Sequence, residues 1–410
     1  VSRANRVPLR ALSLFASLYA LQGVTVAYLV NFNKQYMINA GVDDRMVARV
    51  QTAVLLPLVF KFLFGPISDR FSLFGLGHRR PYILLGLLLQ AGGLLGLSLV
   101  DPARHLGLFA SFAVGAVIGM SLFDTCCDGM VVDMTPDGDR ARVQGTLMVS
   151  RFLATMLCTI GFGAWVDSTG LGPGWSPGLL WVCAALGVIP LVQTITVHEP
   201  VRPNDAESFR WSALGVIFRP RSLVLLAFGA GYGMLATGVE LNLPLYYTSL
   251  EFSSADVGWL GATRYLGRAS GAILLPIVSR SIGRRGLLAA GILGLAITSA
   301  GQSLVDSHPT AGFWSFGFGV ANGWNDALFC VLAMEASDPS MAASTFALFM
   351  AVSNLSVAGD ALFVESLTAA GHRYATVLTA FGAAGLGLLP LIPWLASPSP
   401  SARLVHGETT

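Results

Sequence analysis

Apolar residues run along this chain in long unbroken blocks, neither alternating as strands do nor confined to one face of a helix. A bilayer core of about 30 Å is crossed by roughly 20 residues of helix. Blocks of that length predict twelve helical spans, at 11–33, 46–65, 81–100, 107–133, 143–166, 177–197, 222–247, 256–279, 287–305, 311–335, 341–365 and 374–396. Continuous runs exclude a transmembrane barrel, whose strands alternate. The first block is longer than a signal-peptide core and lacks a convincing cleavage site, so no cleavable leader is expected. The longest polar connection, His198 to Arg221, holds Pro200, Pro203, Asn204, Asp205, Glu207 and Pro220. Such turn-forming residues read as a linker. The expected organisation is a six-helix half at 1–197, a linker at 198–221, a second half at 222–396 and a tail at 397–410.

Composition gives the blocks a solvent. Of 410 residues, 54% are hydrophobic and 12% charged, with a net charge of +2. Soluble domains carry about 25% charged residues, so a soluble multidomain protein is excluded. Disorder is excluded with it, and so is a basic nucleic-acid surface. With the N-terminus inside, 16 of the 25 Lys and Arg fall on cytoplasmic segments, five on outer loops, and four (Lys61, Arg151, Arg264, Arg268) within spans. The positive-inside rule then places both termini in the cytoplasm. Cys126, Cys127, Cys158, Cys183 and Cys330 lie in apolar stretches and read as buried small hydrophobes. The sequence contains no nucleotide-binding loop, no metal cluster and no nucleophile–base pair, so an enzyme, a cofactor or a metal centre is not expected.

The halves repeat. Pro66-Ile-Ser-Asp-Arg70 ends span two, and Pro276-Ile-Val-Ser-Arg280 ends span eight. Basic turns follow each, at Gly77-His-Arg-Arg80 and Gly283-Arg-Arg285. Asp124 and Asp133 of span four map onto Asp326 and Glu335 of span ten, each at an offset of 202. Thr146–Ser150 resembles the stretch from Thr345 to Ser353. Duplicated halves around a midplane site are the plan of secondary transporters.

Charges inside spans are costly, about 2.5–3.5 kcal/mol each on insertion scales, and so need pairing, hydration or a proton. Asp124 and Asp128 are four residues apart and share one helix face. Their repulsion is relieved when one carries a proton, which makes them proton-coupling candidates; the structural alternative is a bond to Arg151. Glu240 precedes Asn242 and Pro244 in span seven, with Tyr246 and Tyr247 beyond, and is a second proton candidate. Asp326, a further proton-coupling candidate, sits with Asn322 and Asn325 in a polar segment of span ten expected to line a cavity. Asn31, Asn242, Asn322 and Asn325 are candidates to bind the substrate. Arg151, Arg264 and Arg268 occupy span centres and suit a carboxylate or phosphate substrate; charge compensation is the alternative. Asn31, with Asn33, Tyr28 and Phe32, takes the comparable place in span one. Asp360 and Glu365 lie toward the outer end of span eleven. Gly92-Gly93 and Gly115…Gly119 permit close helix contact.

With these residues placed, the chain resembles the major facilitator superfamily. The loop Gly65-Pro-Ile-Ser-Asp-Arg70…Gly77-His-Arg-Arg80 carries the likeness. Val59-Phe-Lys-Phe-Leu63 before it, the spacing of Asp124, Asp128, Asp133 and Pro136, and Ala343-Ser-Thr-Phe-Ala-Leu-Phe are similar to the AmpG muropeptide permease and acetyl-CoA transporter branch. The twelve-span form looks more like the siderophore permeases of that branch. The resemblance implies an all-α membrane protein in the bacterial inner membrane, with two pseudo-symmetric six-helix halves, acting as a monomer without nucleic acid. It implies that spans five and eight face each other, and that Asp69 meets the start of span eleven near Ser340. It also implies a gate in which Arg70 and Arg80 bridge to Asp133 and Glu335; placement by the inside rule explains the same positive residues. The expected function is proton-coupled import of a polar or anionic small molecule. The alternatives are a non-transporting scaffold or sensor, and an exporter of amphipathic drugs.

Overall fold

A helix closes its backbone hydrogen bonds within itself, which is why apolar blocks surrounded by lipid take that form. The computed structural model describes residues 6–73, 75, 77–169, 175–199, 211–338, 341–352 and 373–397, and no strand occurs among them. Nine helical stretches among the described residues are long and apolar enough to cross a membrane by length and composition. Helical residues also occupy the eighth and tenth predicted spans, and the eleventh as far as Val352.

The chain forms two compact units. The first comprises Val1–Pro136, Ser150–Ala213 and Pro339–Ala351; the second comprises Asp137–Val149, Leu214–Asp338 and Val352–Thr410. In the first unit, α1 (Leu9–Val26) runs through a π-helical turn, Ala27–Phe32, into α2 (Asn33–Asn39). Asp43 caps α3 (Asp44–Val59) by accepting from the Arg45 N–H. Pro57 inside α3 has no N–H to give and crowds the preceding turn. The helix tightens into a 3-10 turn at Phe60–Leu63 before α4 (Phe64–Arg70). That turn buries Lys61.

Next come α5 (Arg80–Ser98), α6 (Leu106–Met134), α7 (Arg140–Thr169, of which the residues to Val149 belong to the second unit), α8 (Trp175–Leu186) and α9 (Val188–Thr196). Packing of α5 on α6 is close because side chains are missing where the backbones meet. A Cβ at Gly93 would press on Ala116, and one at Gly119 on Gln90, whereas Gly92 and Gly115 face open space. Half of the expected glycine contacts are therefore made.

The second unit holds α10 (Pro220–Ser249), α11 (Ser254–Val278), α12 (Arg284–Gly301) and α13 (His308–Ala336). It opens α11 with a reciprocal cap between Ser253 and Asp256. Gly267 and Gly271 on α11 meet Gly319 and Gly323 on α13, where any side chain would collide with the facing backbone. After α14 (Ala342–Val352), described mainly within the first unit, the second unit closes with α15 (Tyr374–Gly385) and α16 (Ile392–Ala396).

Candidate functional site

The first unit places a complete charge cluster around α6. Asp124 and Asp128 project from one face, as their spacing requires, and Lys61 stands between them. Its Nζ lies 2.8 Å from Asp124 and 3.5 Å from Asp128. Tyr19 of α1 donates to the second oxygen of Asp128 at 2.5 Å. Thr125 donates to the Lys61 carbonyl at 3.3 Å, an acceptor that it shares with the Phe64 N–H. All three charged side chains are almost fully buried. The contacting trio carries two negative charges and one positive, so one added proton makes it neutral. The structural alternative considered for Asp124, a bond to Arg151, gives way to Lys61; Arg151 acts on that ammonium only at longer range. Lys61 is one of two lysines in the chain and interrupts an apolar span. That interruption was the available signal for it.

A second cluster gathers at the loop after α4. Arg79 is fully buried, and its Nη2 lies 2.5 Å from Asp69. Its Nε lies 3.3 Å from Asp133, and its Nη1 donates to Ser68 at 2.9 Å. The other oxygen of Asp69 accepts from the backbone N–H of Ser344 at 2.8 Å and from its hydroxyl. Asp69 thus meets the first turn of α14, as the resemblance implied; Ser340 lies outside the described residues. Gly65 and Gly129 make room, since a Cβ on the first would collide with Ser344 and one on the second with Ala343 and Arg79.

The basic residue at the heart of this cluster is Arg79, where Arg70 and Arg80 were expected. Arg70 is exposed, with its guanidinium 5.3 Å from the Phe71 ring centre. Arg80 donates instead to the carbonyls of Thr194 and Ile195, at 3.1 and 2.7 Å. The reason is the start of α5: Glu199 accepts from the N–H groups of His78, Arg79 and Arg80, which turns Arg79 inward. Glu199 lies 120 residues from Arg79 in sequence, so no local pattern marks it.

In the second unit, Arg268 Nη2 bonds Glu240 at 3.0 Å, and its Nε lies 3.1 Å from the Asn322 side-chain amide, which satisfies both groups when its oxygen is turned toward the guanidinium. Tyr232 donates to Asp326 at 3.2 Å. These residues form one polar face where α10, α11 and α13 meet. Asn325 differs from the expectation: its amide donates to the carbonyls of Gly291 and Ala321, both at 2.8 Å, and so ties α13 to α12. Asn242 donates to the Gly238 carbonyl within its own helix at 2.7 Å.

Glu335, the repeat mate of Asp133, pairs with Arg284 at 2.5 Å and Arg221 at 3.5 Å, rather than with Arg70 or Arg80. Arg264 is buried one turn before Arg268. The Asn31 side chain, Asp360 and Glu365 lie outside the described residues. No group of three or more metal-ligating side chains occurs among the described residues.

Comparison with known proteins agrees with this architecture. Residues 11–359 match the family described as Major Facilitator Superfamily. An anhydromuropeptide permease of Escherichia coli K12 is 27% identical over 315 residues, covering 72% of this chain and 62% of the permease. The chain thus spans less than two thirds of that relative. The multidrug resistance protein MdtH of Klebsiella pneumoniae is 28% identical, over 48% of this chain and 46% of its own. Among solved structures, the human organic anion transporter TETRAN superposes with a TM-score of 0.73 at 14% identity, covering 94% of this chain and 99% of its own. FucP, in its outward conformation, gives 0.74 at 12% identity, covering 94% and 98%. The proton:xylose symporter XylE gives 0.72 at 14%, covering 95% of each chain. At such identities the structures speak to fold alone, and the fold is that of an all-α integral membrane protein.

Proposed function

The chain belongs to the Major Facilitator Superfamily, a family of transporters, and on that premise we propose that it imports a polar, anionic solute together with protons by alternating access. The reading rests on one observation, the buried trio of Lys61, Asp124 and Asp128. A structural ion pair needs one acid for one base. A second carboxylate in contact with the same ammonium adds a charge that costs free energy in an apolar interior unless something neutralises it. A proton is the smallest ligand that does so. Protonation of Asp124 or Asp128 releases part of the hold on Lys61, and the Tyr19 hydroxyl can donate to whichever charge stays on Asp128. Proton binding thereby changes which contacts tie α1, the 3-10 turn after α3 and α6 together, which is the differential interaction a coupled transition requires.

The paired Arg268 and Glu240, with Asn322 and Asp326, form the corresponding polar face of the second unit. Asp69, Arg79, Asp133 and Ser344 are assigned to gating, with Arg284 and Glu335 as their counterparts. The distribution of Lys and Arg supports cytoplasmic termini in a bacterial inner membrane. The 27% identity to an anhydromuropeptide permease favours a muropeptide-like solute, and a carboxylate-bearing siderophore has the same chemistry.

Drug export is the second reading, favoured by the match to MdtH over about half of the chain. Proteoliposomes separate the two. With an imposed inward proton gradient, radiolabelled anhydro-N-acetylmuramyl tripeptide should accumulate, and Asp124→Asn/Asp128→Asn should abolish accumulation. Uptake that ignores the gradient refutes coupling, and gradient-driven expulsion of a lipophilic cation in its place supports the exporter.

A further inference from the structure

Arg264 is the buried charge that the cluster chemistry does not absorb. Only 8% of it is exposed, and its Nε and Nη1 have no hydrogen-bond partner among the described residues. The acids of the second unit that make ion pairs among the described residues are engaged elsewhere: Glu240 with Arg268, Glu335 with Arg284 and Arg221, Asp256 with His308, Asp137 with Arg140 and Asp139 with Arg142. Asp326 accepts from Tyr232. Arg264 has no carboxylate partner among the described residues.

Its polar neighbours have the same deficit. The Tyr247 hydroxyl interacts with the Arg264 guanidinium. It donates to the Gln302 side-chain oxygen at 2.9 Å and lies 2.7 Å from the Ser315 hydroxyl. Gln302 is wholly buried, and its Nε2 is also without a partner among the described residues. The cluster therefore holds a positive charge and unmatched donors on two side chains, while its acceptors are already occupied. Unmatched buried donors are unfavourable, and an uncompensated buried charge more so. An anionic acceptor entering the cluster would satisfy both.

We propose that Arg264, with Gln302 and Tyr247, is the subsite that binds a single carboxylate group of the transported solute. The proposal rests on the reading of this chain as an anion importer and names the group that it recognises. One guanidinium balances one negative charge, and the neighbouring Arg268 is already neutralised. That stoichiometry favours a carboxylate over a phosphate dianion.

The test is binding to the full chain in lipid nanodiscs. The probes are N-acetylmuramic acid, whose carboxylate is its only charge, its neutral counterpart N-acetylglucosamine, and inorganic phosphate. N-acetylmuramic acid should raise the melting temperature, and the neutral sugar should not. Arg264→Gln should melt at or above the wild-type temperature, because it removes an uncompensated charge, yet bind N-acetylmuramic acid about ten- to a hundredfold more weakly. Arg264→Lys should recover part of the affinity.

The subsite is overturned if no acid probe stabilises the wild type, if N-acetylglucosamine binds as well, or if phosphate binds more tightly. It is also overturned if Arg264→Gln lowers the melting temperature and leaves affinity unchanged. Uptake tells the two levels apart. Binding that depends on Arg264 without any transport sinks the importer reading and leaves the subsite standing. Gradient-driven uptake with an unaltered KM in Arg264→Gln does the reverse.

Discussion

Replacing Lys61 by Met removes the charge and keeps most of the side-chain volume. The ammonium sits 2.8 Å from Asp124 and 3.5 Å from Asp128. At an effective dielectric of 20, those separations correspond to attractions of about 6 and about 5 kcal/mol. Desolvation of the ammonium offsets much of this, and measured losses on breaking a buried pair are about 3–5 kcal/mol. Lys61→Met strands two neighbouring carboxylates and should fall in that range. Asp124→Asn leaves a neutral Lys61–Asp128 pair, with Tyr19 still bonded to Asp128. It should cost less, about 1–3 kcal/mol for the weakened hydrogen bond. The double variant returns the cluster to one net negative charge. Its loss should fall short of the sum of the singles by about 0.5–3 kcal/mol. Reversible unfolding in mixed micelles with increasing dodecyl sulfate measures all three. Strict additivity, or a Lys61→Met effect smaller than that of Asp124→Asn, would refute the reasoning that charge balance governs this site.

Gly65→Val forces a side chain into the Ser344 backbone, and overpacking of this kind costs about 1–3 kcal/mol; Gly92→Ala, which meets nothing within 4 Å, should be neutral in the same melt. Ser344→Ala removes one of the two donors that α14 offers Asp69. If that contact is a gate, the variant should open it more often, seen as faster labelling of a single cysteine placed beside Asp69, with little change in melting temperature. At the start of α13, the carboxyl of Asp306 is held below the usual range by the hydroxyls of Thr310 and Ser307. Its contribution is present above the unfolded value of about 4 and is lost as pH falls through the lower folded value. Melting of Asp306→Asn should therefore converge with wild type at low pH and separate from it at neutral pH. Ser307→Ala should cost about 0.5–2 kcal/mol through the lost cap.

The blocks of apolar sequence located the helices because length and continuity alone decide what crosses lipid. The Asp124–Asp128 pair was equally legible, since an offset of four fixes one face of a helix. Their partner was not. Lys61 reaches them from another helix, and only after Pro57 has broken α3. The basic loop was legible as a class of residue and misread as to member. Arg70, Arg79 and Arg80 are alike in sequence, and the contact from Glu199 selects Arg79 for the interior. Asn325 was expected in a cavity because it neighbours Asp326, but successive helical residues point in different directions, and Asn325 bonds α12 instead. The arginines Arg264 and Arg268 share a face by spacing. Only the placement of Glu240 shows that Arg268 is neutralised while Arg264 has no carboxylate partner among the described residues.

The central claim, that solute and protons move together through the Lys61 cluster, is tested most directly by proton flux. Proteoliposomes loaded with a pH-sensitive dye, and given anhydro-N-acetylmuramyl tripeptide without any imposed gradient, should acidify as the solute enters down its own gradient. The Asp124→Asn/Asp128→Asn protein should still exchange labelled for unlabelled solute but leave the internal pH unchanged. Solute entry with no acidification in the wild type, or equal acidification in the double variant, would contradict the account.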